Sequence, residues 1–278
     1  PLGLLSPFTL RAKLLLRRLQ GKGTPVPWDQ DMPQLERQRW VELLLEVLDG
    51  DEVTFCRAAA PPEGVSVDIV VFADGSMEAF CAAVYAVWRM PGMEDKNDSA
   101  LVMAKCRLTP LTGTTIPRSE LSGLVVAHRL ALLVAAAANY KPANLNILTD
   151  SECSIALSRK TGGLLRPFSA NRVGEIEDLR KEIQHEVGVL EPLAAVPGDQ
   201  NPADLGTRGK VTLRDMQCDW WQKGPTWLSQ PRTTWPLNTD LTQQAPFKEL
   251  RAARVAGALT VEQPVTQHCG LFGLCNPH

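Results

Sequence analysis

Four acidic residues stand where this chain could do chemistry. Asp74, Asp150 and Asp204 each follow a segment with the pattern of a buried strand, and Glu120 stands at the start of a long helix. In open α/β sheets, ligands bind beyond the carboxyl ends of the strands. Carboxylates at several of those ends would form one negatively charged ligand site, provided that the strands lie side by side.

Each of these acids also has a local explanation that involves no site. Asp150 could cap the helix that begins near Ser151, because an Asp side chain accepts hydrogen bonds from free backbone N–H groups. Asp74 precedes a glycine and could be a turn residue, and Asp204 could belong to an NPAD turn. The helix dipole could favour Glu120 in the first helical turn. These alternatives stay open for each acid alone, whereas the joint arrangement of the four favours a site.

The elements that would position these acids follow a mixed order of strands and helices. Three strand patterns come first, followed by a long apolar helix, a fourth strand, two further helices and a fifth strand. Their predicted bounds are, in that order, 67–76, 79–90, 100–110, 117–138, 145–149, 151–160, 168–187 and 189–199. Short turns join antiparallel strands, whereas parallel strands need a crossover. The order therefore predicts three antiparallel strands and then two parallel ones, with strands one and four adjacent if strand one is central.

The composition predicts a globular protein without an overall basic surface. The 278 residues are 44% hydrophobic and carry a net charge of -2, which suits a buried core and not a general nucleic-acid coat. A local basic cluster remains possible in Arg11, Lys13, Arg17, Arg18 and Lys22. The seven cysteines are odd in number and mostly scattered, which predicts a reducing compartment and no disulfide framework. The chain shows neither the order of a signal peptide nor an uninterrupted apolar run of membrane-spanning length.

Five motifs, in a fixed order, carry a resemblance to a known family. They are FADGS at 72–76, MAKCRLTPL at 103–111 with TIPRSELSGL at 115–124, LTDSE at 148–152, SANRVGEIEDL at 169–179, and VPGDQNPADLGTRG at 196–209. Over about residues 67–210 the chain resembles the ribonuclease H domain of reverse transcriptases, most closely that of BEL/Pao-type LTR retrotransposons. The resemblance implies an α/β, ribonuclease H-like fold in which helices flank a five-stranded mixed sheet, with three antiparallel and then two parallel strands.

The resemblance also implies a division of the chain. Residues 1–62 look similar to the helical thumb or connection segment that follows the polymerase core, and residues 65–210 to the ribonuclease H-like domain. The Trp- and Pro-rich residues 211–245 resemble the extension that follows this domain in the same polyproteins. Residues 246–278 are predicted to be a poorly ordered tail, and the Cys and His spacing within it does not match a usual zinc motif.

The implied activity is metal-dependent hydrolysis of the RNA strand of RNA–DNA hybrids. Asp74, Glu120, Asp150 and Asp204 are then the catalytic residues and the ligands of two Mg²⁺ ions, which Mn²⁺ could replace. Hard cations prefer carboxylate and water oxygens, and two of them can position a water and stabilise a leaving oxygen. The implied partners are the hybrid and the remainder of a Pol polyprotein (reverse transcriptase and integrase), with no membrane. The implied location is the cytoplasm or a virus-like particle.

The resemblance leaves substrate contacts and competing functions open. Arg118, Asn171 and Arg172 are candidate contacts to the nucleic-acid backbone, but surface salt bridges or a helix cap account for them equally well. One competing function is a catalytically inactive structural or connection module of a polymerase polyprotein, against which the presence of all four acids argues. Another is an integrase-like or exonuclease domain, but Glu120 precedes strand four and an integrase places its Glu late. Many relatives also carry a His after strand five, and this loop has none.

Overall fold

The protein forms a five-stranded mixed sheet with helices on both faces. The computed structural model describes residues 2–21, 25–50, 52–55, 64–89, 92, 96–138, 141–242 and 244–251. The strands are β1 (Val67–Gly75), β2 (Ala79–Arg89), β3 (Asn97–Leu108), β4 (Asn144–Thr149) and β5 (Ala194–Ala195), and their spatial order is β3-β2-β1-β4-β5. Strand β1 pairs antiparallel with β2 and parallel with β4, β3 is antiparallel to β2, and β5 is parallel to β4. The predicted fold class is confirmed, with β1 in the centre.

The helices begin where the sequence supplies proline or a capping hydroxyl. They are α1 (Ser6–Gln20), α2 (Gln34–Leu48), α3 (Ile116–Ala137), α4 (Glu152–Ser158), α5 (Pro167–Glu186) and α6 (Asp219–Gln222). Helices α3 and α5 each have a proline in the first two positions, where its missing N–H costs no helical hydrogen bond. Thr115 caps α3, and the side chain of Ser151 caps α4 by accepting from the N–H of Ser154. The cap of α4 is therefore Ser151, and Asp150 is not needed for it.

The fifth strand is shorter than the sequence pattern indicates. We predicted it within residues 189–199, whereas only Ala194 and Ala195 pair with β4. Pro192 and Pro197 lie on either side of this pair. Proline has no backbone N–H to donate to a neighbouring strand, so each proline limits the ladder at its end.

Two apolar layers cover the two faces of the sheet. Alternate residues of β1 face opposite layers, as strand geometry requires: Ile69 and Val71 pack in the cluster that contains α3 and α5, and Val70 and Phe72 pack in the other. The second layer contains α1 and the Trp-rich extension, whose Trp221 Nε1 donates to the Leu4 carbonyl at 2.8 Å. Both chain segments that flank the predicted domain therefore pack on one face of its sheet.

The predicted division of the chain stays a prediction, although the packing bears on two of its boundaries. Leu10 of α1 is fully buried, so this helix belongs to the core of the folded unit. Residues 246–251, which we predicted as the start of a poorly ordered tail, include a 3₁₀ turn, Phe247–Glu249, in which Glu249 is buried. Residues 252–278, with the tail's Cys and His residues, lie outside the described residues.

One helix in the described part of the chain is long and apolar enough to cross a membrane when judged by length and composition. It is α3, with 22 residues. In this structure α3 packs against β1, β2 and α5, and 56% of its most apolar window is buried inside the protein. A core helix passes the same test, so the finding adds no evidence for a membrane protein.

Candidate active site

The parallel pairing of β1 with β4 brings two of the acids side by side. Ala73 lies opposite Thr149 in this ladder, so Asp74 and Asp150 are the next residue of each strand. Asp74 is 7% exposed, and burial raises its pKa to about 6. The Thr207 hydroxyl donates to Asp74 Oδ2 at 2.5 Å and opposes that rise, while the negative charges of Asp150 and Asp204 add to it. The carboxyl edge of the central strands therefore concentrates negative charge.

Two glycines allow α3 to approach this edge closely. A Cβ atom at Gly75 would lie 2.3 Å from the Glu120 backbone nitrogen, and one at Gly123 would lie 2.6 Å from the Asp74 carbonyl oxygen. Real Cβ contacts are never that short, so only glycine permits this backbone approach at either position. Glu120 thereby reaches the acids of β1 and β4. Because its helix has no acidic residue in the first turn, the proposed placement of Glu120 by the helix dipole is wrong.

Burial and repulsion from neighbouring carboxylates raise the pKa of Glu120 above its usual value. Burial raises its pKa to about 7, and the negative charges of Asp150 and Asp74 add to the effect. The Ser151 hydroxyl, which donates to Glu120 Oε2 at 2.5 Å, acts in the opposite direction. A carboxylate that titrates near neutrality without a cationic partner would gain from a bound cation.

Substitution of Gly123 is expected to disturb the site through the backbone. Gly123→Ala should lower the melting temperature by several degrees, because its methyl group would push α3 away from Asp74 at a cost of about 1–3 kcal/mol. The matched control is Gly174→Ala in α5, where an added Cβ meets no atom within 4 Å. That control should stabilise the protein by up to about 1 kcal/mol, as alanine does inside a helix. Equal melting temperatures for the two variants would contradict the close-approach argument.

Asn201 holds Asp150 against β1. Its side-chain N–H group donates to Asp150 Oδ1 at 3.0 Å and to the Ala73 carbonyl at 2.9 Å, and the residue is 1% exposed. Burial raises the pKa of Asp150, the bond from Asn201 opposes that shift, and the charge of Asp204 adds to it. We did not predict roles for Asn201, Ser151 or Thr207, although all three belong to motifs that contain the acids.

Asp204 lies on a 3₁₀ turn, Pro202–Gly206, and not on a strand. Its side chain is 30% exposed and accepts a hydrogen bond from Arg208 Nε at 2.5 Å. Gly206 fixes this turn on the sheet, because a Cβ there would lie 2.2 Å from Cys81 Sγ and 2.7 Å from Cys106 Sγ. Asp204 is therefore partly exposed, and the close packing of Gly206 on β2 and β3 holds its turn against the sheet.

The donor types and charges of this site suit a hard divalent cation. In the described part of the chain, Asp74, Glu120 and Asp150 form no ion pair with a Lys or Arg side chain. The positive charge of Arg208, which pairs with Asp204, lowers the pKa of Asp150 but does not offset the effect of burial. The carboxylate oxygens instead accept from Ser151, Thr207, Asn201 and Arg208. Among the described residues, no group of three or more His, Cys, Asp or Glu side chains is arranged to hold a metal ion. Binding an ion would require the carboxylates to exchange some of these hydrogen bonds for metal contacts.

Two of the three predicted nucleic-acid contacts, Arg118 and Arg172, have partners inside the protein. Arg118 pairs with Glu249, and Arg172 donates to Glu175 at 3.0 Å. Both guanidinium groups lie over the Phe168 ring, 5.2 and 5.5 Å from its centroid, and Asn171 is exposed beside them. The three residues lie together near the starts of α3 and α5, and their role toward nucleic acid stays a prediction.

Three of the five residues in the predicted basic cluster have partners inside the protein, Arg18 is exposed, and Lys22 lies outside the described residues. Arg11 bonds to Glu46, Lys13 donates to the Cys106 carbonyl at 3.0 Å, and Arg17 bonds to the Thr109 carbonyl. Arg11 thus joins α1 to α2, and Lys13 and Arg17 join it to β3 and the residue that follows β3. These three side chains therefore do not form a free basic track in this structure.

The fold and the four acids together define a class of protein. A mixed sheet with strand order 3-2-1-4-5 and acids at the ends of its first and fourth strands is a ribonuclease H-like domain. Residues 1–151 match the family described as Pao retrotransposon-like RNaseH-like domain, and the chain belongs to that family. The matched residues include Asp74, Glu120 and Asp150, whereas Asp204 lies beyond them. No curated protein matches the chain.

Solved structures of ribonucleases H are similar to about half of this chain, at low identity and with low TM-scores. The N-terminal RNase H domain of a Mycobacterium tuberculosis protein is 16% identical, with a TM-score of 0.32 over 49% of this chain and 92% of its own. RNase H1 from Halobacterium salinarum is 16% identical, with a TM-score of 0.30 over 50% and 90%. LC11-RNase H1 from compost, solved with an RNA/DNA hybrid, is 16% identical, with a TM-score of 0.30 over 50% and 91%. With TM-scores this low, the family match carries the assignment.

Proposed function

We propose that this protein is a metal-dependent endonuclease that hydrolyses the RNA strand of RNA–DNA hybrids. The observation that carries the proposal is the group of four electrostatically coupled acids at the carboxyl edge of β1 and β4, three of which form no ion pair among the described residues. Family membership adds a retrotransposon context. In that context the domain acts within a Pol polyprotein beside reverse transcriptase and integrase, in the cytoplasm or a virus-like particle.

The four acids would hold two divalent cations, Mg²⁺ or Mn²⁺. Asp74 would be the shared ligand, with Glu120 and Asp150 on the leaving-group side and Asp204 on the nucleophile side. When bound, such cations activate a water molecule and stabilise the departing alkoxide. The chain's own part is positioning: Thr207, Ser151 and Asn201 fix three of the carboxylates by hydrogen bonds. The partly exposed Asp204 leaves that side open to water.

A second candidate is a catalytically inactive structural module of the same polyprotein. The observation in its favour is that the carboxylates accept hydrogen bonds within the protein and that no metal-holding group of three forms among the described residues. The two candidates differ in whether the carboxylates bind a divalent cation, which can be measured directly. An inactive module would keep its stability and bind neither Mg²⁺ nor Mn²⁺ at this edge.

A cleavage assay with three matched duplexes tests the proposal. We expect the protein with Mg²⁺ to cut the RNA strand of an RNA–DNA hybrid, and to leave an all-DNA and an all-RNA duplex of the same sequence intact. RNA is distinguished from DNA by its 2′-hydroxyl, and the hybrid by its shape. The control is the same assay with excess chelator. No cleavage of any duplex would support the structural module, and cleavage of the DNA duplex would indicate another nuclease of this fold.

A further inference from the structure

A buried carboxylate outside the catalytic group closes a small polar site between two helices. Glu249 is 2% exposed, and both of its carboxylate oxygens accept from Arg118 Nε, at 2.9 and 3.1 Å. The hydroxyl of Ser169, which is itself fully buried, donates to Glu249 Oε2 at 2.7 Å. A guanidinium and a hydroxyl thus converge on one anion, as they do in sites that bind carboxylate or phosphate.

The carboxylate belongs to a short segment that lies across the two helix starts. Residues 244–251, here termed the strap, are held by an antiparallel bridge between Leu165 and Leu250. The backbone N–H groups of Arg166 and Arg251 donate to the carbonyls of Glu249 and Leu164, each at 2.9 Å. The strap also packs Ala245 and Leu250 on the apolar layer of α3 and α5, and Arg251 Nε donates to the Leu165 carbonyl. Because it makes fewer backbone hydrogen bonds than a strand inside the sheet, the strap is a candidate for local opening.

The site lies near the starts of α3 and α5, the two helices that carry Glu120 and the predicted nucleic-acid contacts. Arg118 precedes Glu120 by two residues on α3, and Ser169 precedes Asn171 by two residues on α5. Arg118 and Arg172 share the ring of Phe168. When Glu249 is removed, the remaining groups are two guanidiniums, a hydroxyl and an aromatic ring, which are the groups that contact nucleic-acid backbones.

We propose that Arg118 and Ser169 form a binding site for a backbone phosphate of the nucleic acid, and that Glu249 occupies this site as an internal substitute. Binding of the duplex then displaces the strap, and the strap lowers affinity until it is displaced. The proposal rests on the proposed function, because it takes the hybrid as the ligand. Arg118 then pairs with Glu249 of the strap in the free protein and with a phosphate in the complex.

Removal of the Glu249 charge tests the competition. The readout is binding of a labelled RNA–DNA hybrid to the full chain in Ca²⁺, measured at several salt concentrations. Glu249→Gln should raise affinity about 3- to 10-fold and steepen the salt dependence by roughly one released counterion. Arg118→Ala in the Glu249→Gln background should remove the gain. The matched control is Glu191→Gln, which removes one charge from the ion pair with Arg232 near the opposite end of the sheet and should change affinity less than twofold.

Hydrogen exchange of the wild type provides a test that does not depend on how well a variant folds. The amides of Arg166 and Arg251, which the strap protects, should exchange faster when the protein is saturated with an uncleavable hybrid. Unchanged or slower exchange there, or an affinity gain in Glu249→Gln that persists without Arg118, would overturn the proposal. Wild-type cleavage is scored separately, so a protein that binds in this way but never cuts would refute the proposed function alone.

Discussion

Asp74→Asn and Asp150→Asn are each expected to reduce hybrid cleavage by at least about 10³-fold while the fold persists. Removal of one preorganised charge-stabilising group typically costs a factor on the order of 10²–10³, and loss of a cation should cost more. The measurement is a single-turnover cleavage rate with Mg²⁺ for each variant. The matched control is Asp199→Asn, a substitution of an exposed acid on the turn before Asn201, which should leave the rate unchanged.

The same variants are expected to be at least as stable as the wild type without metal. Because the pKa of Asp74 is about 6 in the folded protein and its usual value is 3.8, the folded state holds this proton more tightly than the unfolded state. The contribution of Asp74 to stability is therefore greatest below about pH 4 and is lost as the pH rises through 6, by on the order of 2–3 kcal/mol.

Asp74→Asn removes that loss and should raise the melting temperature at pH 8 by about 5 °C in the presence of chelator. Added Mg²⁺ should raise the melting temperature of the wild type and leave that of the variant nearly unchanged, since a ligand stabilises only a state that binds it. A large drop in melting temperature for both the Asp74 and Asp150 variants would show that these carboxylates serve the fold and not a cation.

The choice of cation and the pH are expected to control the rate together. Mn²⁺ should replace Mg²⁺, since it accepts octahedral oxygen ligands. Ca²⁺ should support hybrid binding and not turnover, because its larger radius and looser geometry position the reacting oxygens less well. The rate should rise from acid pH through the range of about 6–7 in which Asp74 and Glu120 lose their protons. Metal binding competes with those protons, so tenfold more Mg²⁺ should shift the inflection to lower pH.

Histidine should make no contribution to that profile. His128 is fully buried on α3, with Nδ1 2.8 Å from the Leu124 carbonyl, and burial lowers its pKa to about 4. His185 lies exposed near the end of α5, beside Glu186. Single-turnover profiles of His128→Asn and His185→Ala should therefore show the same inflection as the wild type. An inflection that disappears in either variant would add a histidine to the mechanism and make the four-carboxylate account incomplete.

The sequence predicts the sheet well and its last strand poorly, for a physical reason. The first four strands and the helices of the ribonuclease H-like region have long runs of one period, and the predicted bounds of α3 (residues 117–138) lie within one residue of the observed helix. Strand β5 has only two paired residues between prolines, and its pairing depends on β4, some 45 residues earlier in the chain. Short segments whose pairing is set by distant partners leave little trace in a local pattern.

The acids of the site could be predicted, but their partners could not. Asp74 and Asp150 stand out because each ends an apolar strand, whereas Asn201 and Thr207 look like ordinary turn residues until the turn packs on the sheet. For the basic residues of α1, the sequence suggests a free charged surface that three of them do not form. Arg11, Lys13 and Arg17 read as a charged surface, yet their partners are a glutamate and backbone carbonyls that only the tertiary structure brings near.

The segments before and after the domain both cover one face of its sheet, and this arrangement affects the order of folding. The bond from Trp221 to Leu4 joins residues 217 positions apart, and Phe72 contacts Trp227 with ring centroids 5.8 Å apart. Contacts of such high sequence separation form late and slow the folding of a domain. During synthesis, the part of this apolar face that the Trp-rich extension covers therefore stays open to solvent until the extension leaves the ribosome, although α1 is already available to cover the rest.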